Sequence, residues 1–194
     1  MEFVLLGWPS DEPTLRLDYR RFSYAGKFVM TNTGKAVVRD ANETTDGEFD
    51  DDVLAAIAFN EDRTDPSTLW LRYITVRRDR RGEGLGPRLV RFVTDRATDR
   101  GFDALKIAVN NPFAYEALYS AGFSFTGDET GLAELVLTRS LDGTASDVDA
   151  NADSHADADA YRDGLERFRE RDTSPAEAAF IERKRASGPP DASA

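Results

Sequence analysis

The chain has no cysteine, a single histidine and no long apolar run among its 194 residues. Without cysteine there is no disulfide framework, no thiolate metal site and no route through an acyl-cysteine intermediate. The histidine, His155, lies in an aspartate-rich segment, where we expect no catalytic or metal-binding role for it. No stretch of apolar residues is long enough for a membrane span, and the first residues lack the basic region of a signal peptide. We therefore expect a cytoplasmic protein that uses no metal and does not bind membranes.

Lysine is also scarce, with four among the 25 basic residues, and 36 acidic residues bring the net charge to −11. This charge argues against nucleic acid as a partner. The aspartate-rich composition resembles that of halophilic proteins, in which dense carboxylates keep the chain soluble in concentrated salt. Residues 72–91 are the exception, because they carry seven arginines and only two acids, Asp79 and Glu83. This local excess of positive charge indicates a polyanionic ligand.

These arginines surround a strand, a glycine turn and a helix between Leu69 and Gly101. Residues 69–76 are mostly β-branched, aromatic or aliphatic, which is typical of a strand. Three alternating glycines follow, at positions where a missing side chain lets a ligand approach the backbone. The free N–H groups of the next helix would point into that turn and attract phosphate. The turn glycines are Gly82, Gly84 and Gly86, and the helix has apolar residues at helical spacing at Leu85, Leu89, Phe92, Val93 and Ala97.

Two other phosphate-binding motifs fit this stretch poorly. A P-loop requires Lys-Ser or Lys-Thr after its last glycine, whereas Pro87 and Arg88 follow Gly86. A dinucleotide-binding fingerprint places its first glycine at the end of the strand and an acid at the end of the next one. Here residues 77–81 separate strand and glycines, and the next strand ends near Asn110.

The sequence R-G-E-G-L-G of residues 81–86 resembles the acetyl-coenzyme A loop of the GNAT N-acetyltransferases. A second element, N-P-F-A-Y-E-A-L-Y-S-A-G-F of residues 111–123, resembles that family's next helix. The resemblance implies acetyl-coenzyme A as cosubstrate and an amine as acceptor, on a small molecule or a protein. The cofactor-binding residues that it implies are Ile74, Thr75, Val76, Arg81, Gly82, Glu83, Gly84, Leu85, Gly86, Asn111 and Ala114.

The catalytic residues are less well defined by this resemblance. The family's proton donor is a tyrosine four residues before a Gly-Phe pair, a position that Leu118 occupies here. Tyr119 is displaced by one residue, or about 100° around a helix, and Tyr115 is the alternative. No general base is assigned: Glu61 and Asp62 follow the neighbouring strand, and water is a further alternative.

The resemblance and the strand pattern together predict an α+β fold with a mixed, mostly antiparallel central sheet and flanking helices. Before the glycine turn, residues 14–22 are compatible with a strand or a short helix, and residues 27–30 and 35–39 with a hairpin. We predict a GNAT-like domain over residues 1–141, an acidic disordered linker over 142–160 and a helical appendage over 161–194. Within that appendage, Ser174 and Glu177 form a capping box.

The predicted activity is acetyl transfer by direct attack of the amine, without a covalent enzyme intermediate. Three alternatives remain at this point. One is a coenzyme A-binding regulatory module without catalysis, which Leu118 at the tyrosine position favours. The others are an arginine-mediated nucleic-acid binder, which the net charge disfavours, and a partner-docking protein that acts through its C-terminal helices.

Overall fold

The computed structural model of the chain describes residues 1–40, 47–141 and 150–191, and of residues 150–156 only the backbone. The chain divides into two units, Met1–Leu105 and Lys106–Ala194. The strands are β1 (Glu2–Gly7), β2 (Gly34–Arg39), β3 (Val53–Glu61), β4 (Thr68–Val76), β5 (Ala104–Val109), β6 (Ser124–Glu129) and β7 (Leu135–Ser140). The helices are α1 (Leu85–Asp99), α2 (Pro112–Tyr119), α3 (Ala150–Arg169) and α4 (Pro175–Ser187).

In the first unit, β1 to β4 are hydrogen-bonded in sequence order and each pair is antiparallel. Strand β3 is buried from Val53 to Phe59, as expected for a strand covered on both faces. Helix α1 contacts β3, and four of the five residues of the predicted apolar stripe are buried; the fifth, Phe92, is half-buried. A bulge at Arg72 lets Tyr73 face Ala58 while Leu71 faces Phe59.

An irregular segment covers the other face of this sheet. Its apolar residues pack against Val37, Val53, Ala56 and Ala58; they are Leu15, Leu17, Phe22, Ala25 and Phe28. Residues 14–22 form neither a strand nor a helix, and Ala25–Lys27 is a 3₁₀ turn. The predicted hairpin is therefore wrong, because β2 pairs with β1 and β3 instead.

A buried lysine holds the ends of this irregular segment. The Lys35 ammonium group donates to the carbonyl oxygens of Pro13, Met30 and Thr33 at 2.6, 2.7 and 2.9 Å. Burial lowers the pKa of Lys35 to about 8. Tertiary hydrogen bonds to one side chain therefore replace the regular backbone ladder that the sequence pattern suggested.

In the second unit the strand order is β5-β7-β6, and β6 and β7 are antiparallel. Helix α3 buries Tyr161, Leu165 and Phe168 completely, and α4 buries Ile181. The capping box at the start of α4 is confirmed, since Ser174 Oγ accepts from the Glu177 N–H and the Glu177 carboxylate accepts from the Ser174 N–H.

The C-terminal region differs from the predicted division into linker and appendage. Helix α3 begins at Ala150, so residues 150–160, predicted to be disordered, are helical. The five alanines of this stretch favour a helix. The buried residues later in α3 stabilise it. The remaining residues of the predicted linker, 142–149, lie outside the described residues.

The predicted α+β class, with a mostly antiparallel sheet and flanking helices, is confirmed. No helix in the described part of the chain is long and apolar enough to cross a membrane.

Candidate functional site

The glycine turn between β4 and α1 exposes its backbone. Gly82 and Gly84 have φ of +86° and +71°, the left-handed region that favours glycine. A Cβ at either position would meet no atom within 4 Å. Gly86 lies inside the helix, where a Cβ would be 3.7 Å from Val76 Cγ2. The space beside Gly82 and Gly84 is therefore open to a ligand.

The start of α1 faces this turn with unpaired donors. Gly84 is the N-cap residue, so the N–H groups of Leu85 and Gly86 have no acceptor within the helix. Pro87, in the third position, has no N–H to offer. The first turn contains no acid that would neutralise the positive end of the helix dipole. This end of α1 is suited to a phosphate group.

Several of the surrounding arginines are held by contacts within the chain. Arg77 is buried and its Nε lies 3.0 Å from Asp79 Oδ1, while Arg80 Nε donates to both carboxylate oxygens of Glu83 at 2.8 and 3.0 Å. The hydrogen bond from Arg80 lowers the pKa of Glu83. Arg72 stacks on Trp70 and Arg88 lies over Phe3. These contacts fix four of the seven arginines in structural roles.

Arg78 and Arg81 instead reach the irregular segment before β2. The backbone N–H of Arg78 donates to the Arg21 carbonyl oxygen at 3.0 Å, and its side-chain Nη1 donates to the Arg20 carbonyl oxygen at 3.2 Å. Arg81 donates from Nη2 to Ser23 Oγ at 3.1 Å and from Nε to the Val76 carbonyl oxygen at 3.4 Å. Arg81 is largely exposed. No sequence pattern predicted these links, because Ser23 and Arg81 are 58 positions apart.

The predicted strand residues Ile74, Thr75 and Val76 form the end of β4 and face Ile57, Ala56 and Ala55 of β3. Thr75 is 4% exposed, and within the described residues its hydroxyl has no hydrogen-bond partner. A buried polar atom without a partner is rare in folded proteins and calls for an explanation.

The predicted residues of the second unit have structural contacts. Asn111 is the N-cap of α2, and its Oδ1 accepts from the Ala114 N–H at 2.9 Å. This bond uses Asn111 Oδ1 and the Ala114 N–H to cap the helix, while Asn111 Nδ2 donates to Asn110 Oδ1 at 3.2 Å.

Tyr115 and Tyr119 lie one turn apart on α2, and both are buried, at 0% and 3% exposure. The Tyr115 hydroxyl lies 3.2 Å from the carbonyl oxygens of Ala160 and Tyr161, to which it donates. The Tyr119 hydroxyl accepts from the Phe125 N–H at 2.9 Å and lies 3.5 Å from the Tyr115 hydroxyl. Burial raises the pKa of both phenols.

Helix α3 completes this tyrosine cluster. The Tyr161 ring stacks on Tyr115 at 5.7 Å and meets Tyr119 edge-on at 4.8 Å. Its hydroxyl donates to Glu116, which also pairs with Lys184 of α4. The spacing of Tyr161, Leu165 and Phe168 indicated a buried face, but the sequence did not show that this face covers the tyrosines of α2.

Comparison with known proteins identifies the family of this chain. The model of the acetyltransferase (GNAT) family matches residues 7–123, which is more than half of the chain. The chain belongs to the GNAT acetyltransferase family. Membership is consistent with acetyl transfer from acetyl-coenzyme A. No curated protein matches the chain in sequence.

Solved acetyltransferase structures are similar to this chain at low sequence identity, and the first one described here shares its fold. A provisionally named N-acetyltransferase of Lactobacillus plantarum is 18% identical over 72% of this chain and 97% of its own, with a TM-score of 0.51. A GCN5-related N-acetyltransferase of Kribbella flavida is 25% identical over 56% and 67% of the two chains, with a TM-score of 0.45. Nourseothricin acetyltransferase is 22% identical over 56% of this chain, with a TM-score of 0.46, and the match spans 65% of its length.

The GNAT fold of this chain places the two candidate bases far from the glycine turn. Glu61 faces Leu69 at the start of β4, whereas the turn follows Val76 at the other end. Seven residues of strand separate these ends by roughly 23 Å. The Asp62 carboxylate is buried and accepts from the N–H and hydroxyl of Thr64. Neither acid therefore lies at the glycine turn, and a role for either as general base stays a prediction. Among the described residues there is also no group of three or more metal-binding side chains.

Proposed function

We propose that this GNAT protein is an enzyme that moves the acetyl group of acetyl-coenzyme A to an amine acceptor. The observation that carries the proposal is the open glycine turn in front of the uncapped start of α1. The coenzyme A diphosphate would lie against the backbone of residues 82–86, bound by the N–H groups of Leu85 and Gly86. Backbone groups of Ile74, Thr75 and Val76 would pair with the pantetheine arm. Asn111 and Ala114 would act by shaping the start of α2.

The proposed reaction is direct transfer. The lone pair of the neutral amine attacks the thioester carbonyl carbon, a C–N bond forms, and the C–S bond breaks as the thiolate leaves. The amine gives up one proton to water, and the thiolate takes one up. The absence of cysteine supports this route over one through an acyl-cysteine.

Tyr119 is the proposed proton donor, with Tyr115 as the alternative. The proton of Tyr115 is directed to carbonyl oxygens of α3, whereas Tyr119 accepts from the Phe125 N–H and keeps its own proton available. The raised pKa of Tyr119 favours the protonated form that a donor requires.

A coenzyme A-binding regulatory module without catalysis is the second candidate. The burial of both tyrosine hydroxyls favours it, because a donor must reach the sulfur. One experiment separates the two functions: coenzyme A binding is measured by calorimetry, and thiol release from acetyl-coenzyme A is followed across a panel of small amines and lysine peptides. Binding with thiol release for at least one amine supports the enzyme. Binding without release across the panel supports the module, and no binding overturns both.

A further inference from the structure

One face of β4 carries an arginine between two aromatic side chains. Tyr73 faces Ala58 of β3, and Trp70 faces Asn60, two positions further along β3 and so on the same face. The bulge at Arg72 therefore brings Trp70 and Tyr73 onto one face of the sheet. Arg72 lies on this face too, because its guanidinium stacks on the Trp70 ring at 4.0 Å and its Nε donates to Asn60 Oδ1 at 2.6 Å.

These contacts orient Arg72 without neutralising its charge. The stack on Trp70 uses one face of the guanidinium, and the bond to Asn60 uses only Nε. Within the described residues, Nη1 and Nη2 have no hydrogen-bond partner and the guanidinium forms no ion pair. The buried carboxylate of Asp62 attracts Arg72, but it accepts from the N–H and hydroxyl of Thr64 instead of pairing with the arginine.

The surroundings of Arg72 add positive charge. Lys27 Nζ lies 5.9 Å from the centre of the Tyr73 ring, and Arg63 follows β3; both cations are exposed, and neither has an ion pair in the described part of the chain. Burial lowers the pKa of Arg72, and the charge of Arg63 lowers it further, against the attraction of Asp62. A half-buried cation in such surroundings is stabilised by an anion that binds beside it.

The proposed path of acetyl-coenzyme A leads to this face. Its diphosphate would lie at the glycine turn, and its pantetheine arm would pair with residues 74–76. Successive residues of a strand are about 3.3 Å apart, so an arm that continues away from the turn brings its thioester beside Tyr73 and Arg72. The other substituents of an amine that attacks there are within reach of the Arg72 guanidinium.

We propose that Arg72 binds a carboxylate of the acceptor, so that the acceptor is an amine that also carries a carboxyl group, as an amino acid does. This inference rests on the proposed function, because it requires the thioester beside Tyr73. Arg72 is a specificity-determining residue in this scheme. Its free amino groups can donate two parallel hydrogen bonds to the two oxygens of a carboxylate. The flat guanidinium, fixed by Trp70 and Asn60, matches a planar carboxylate better than a tetrahedral phosphate.

Acceptor specificity of the full chain tests the role of Arg72. Thiol release from acetyl-coenzyme A is measured with glycine, β-alanine, γ-aminobutyrate and phenylalanine, each beside its primary amide, which keeps the shape and loses the negative charge. At least one amino acid should exceed its amide at least about tenfold in kcat/KM, mainly through a lower KM. Arg72→Gln should bring this ratio close to one by raising the KM for the amino acid.

Two further variants separate binding by Arg72 from its structural contacts. Arg96→Gln is the matched control, because Arg96 is also half-buried and stacks on an aromatic ring, Phe92, at 4.2 Å, but lies on α1. It should keep the wild-type ratio of amino acid to amide. Asn60→Asp keeps the arginine and places a carboxylate at its Nε, so it should lower the ratio by neutralising the guanidinium.

Calorimetry gives a second measurement that needs no turnover. In protein saturated with coenzyme A, the preferred amino acid should bind more tightly than its amide, and Arg72→Gln should remove the difference. A ratio near one in the wild type, an unchanged ratio in Arg72→Gln, or tighter binding of an aminoalkyl phosphate of the same length would overturn the role of Arg72 alone. So would the lack of both reaction and binding across the series. Failure to bind coenzyme A would overturn the proposed function as well.

Discussion

Gly84 and Gly101 lie at the two ends of α1, and both have positive φ, at +71° and +85°. A Cβ at either would enter open space. Valine at either position carries a strain of about 1–2 kcal/mol. Only Gly84 lies where the diphosphate is proposed to bind. We predict that Gly84→Val weakens coenzyme A binding at least about tenfold, or about 1.4 kcal/mol, in calorimetry.

Gly101→Val is the matched control for this variant, because it introduces the same strain away from the turn. It should bind coenzyme A like the wild type while losing similar stability in thermal unfolding. Equal affinities in the two folded variants would remove the glycine turn from the cofactor site.

The hydroxyl of Tyr119 has a structural partner as well as a proposed catalytic role. Tyr119→Phe leaves the buried Phe125 N–H without an acceptor, so we predict a loss of about 1–3 kcal/mol in the free energy of unfolding. If Tyr119 is the proton donor, kcat also falls at least about thirtyfold, with little change in the KM for acetyl-coenzyme A. Urea unfolding and steady-state kinetics with an identified acceptor measure the two effects separately.

Tyr115→Phe is the comparison for Tyr119→Phe. The carbonyl oxygens of Ala160 and Tyr161 belong to α3 and accept helical hydrogen bonds too, so they keep partners when the Tyr115 hydroxyl is removed. This variant should be milder in both measurements. If it loses activity while Tyr119→Phe retains it, Tyr115 is the donor; if both remain active, water protonates the thiolate.

Among the elements, α3 can pack closely on α2 only because position 164 of α3 is a glycine. Alanine is usually more favourable than glycine inside a helix by about 1 kcal/mol. At Gly164, however, a Cβ would overlap the Tyr115 hydroxyl. We predict that Gly164→Ala lowers the free energy of unfolding by about 1–3 kcal/mol in urea denaturation, the usual cost of overpacking.

The double variant Gly164→Ala, Tyr115→Phe checks that this contact is the cause. Removing the hydroxyl should restore part of the stability that alanine at position 164 costs, so the two effects should not add. Additive losses, or a gain for Gly164→Ala alone, would show that α3 does not pack on Tyr115 in solution.

The tyrosine cluster of α2 and α3 should make the fold sensitive to alkali. Burial raises the pKa of Tyr115, Tyr119 and Tyr161, whereas an unfolded tyrosine ionises near about 10. Because the folded chain holds these protons more tightly, their contribution to stability is complete below about pH 10 and is lost as the pH rises further. We predict that three of the six tyrosines ionise together with the loss of helical circular dichroism. Their ionisation in a chain that keeps its helices would contradict the buried cluster.

Across the whole molecule, the sequence predicted the elements whose signals are local. Helix α1 lies between the predicted glycines, and β5 ends at Val109, beside the predicted end near Asn110. The segment before β2 could not be predicted in this way, because Lys35 and the core cluster stabilise it through distant contacts. Likewise, the aspartates of α3 suggested disorder, whereas packing of Tyr161 and Phe168 stabilises a helix. In the candidate site, the glycine turn was predictable from spacing, but the link from Arg81 to Ser23 was not.

The net charge of −11 leads to a last prediction, on salt. Repulsion among excess carboxylates destabilises the folded chain, and salt screens it as the Debye length falls from about 10 Å at 0.1 M to about 3 Å at 1 M. Exposed ion pairs such as Arg80–Glu83 are screened too, but such pairs contribute only about 0–1 kcal/mol each. We therefore expect the melting temperature to rise with KCl over this range.

The pH dependence of this effect identifies its cause. Near pH 4.6, where the chain has no net charge, the gain from KCl should shrink, because the excess of carboxylates is then protonated. Thermal unfolding followed by circular dichroism at neutral pH and near pH 5 makes the comparison. A melting temperature that falls with KCl at neutral pH would mean that attractive pairs outweigh repulsion, and that the acidic surface is no adaptation to salt.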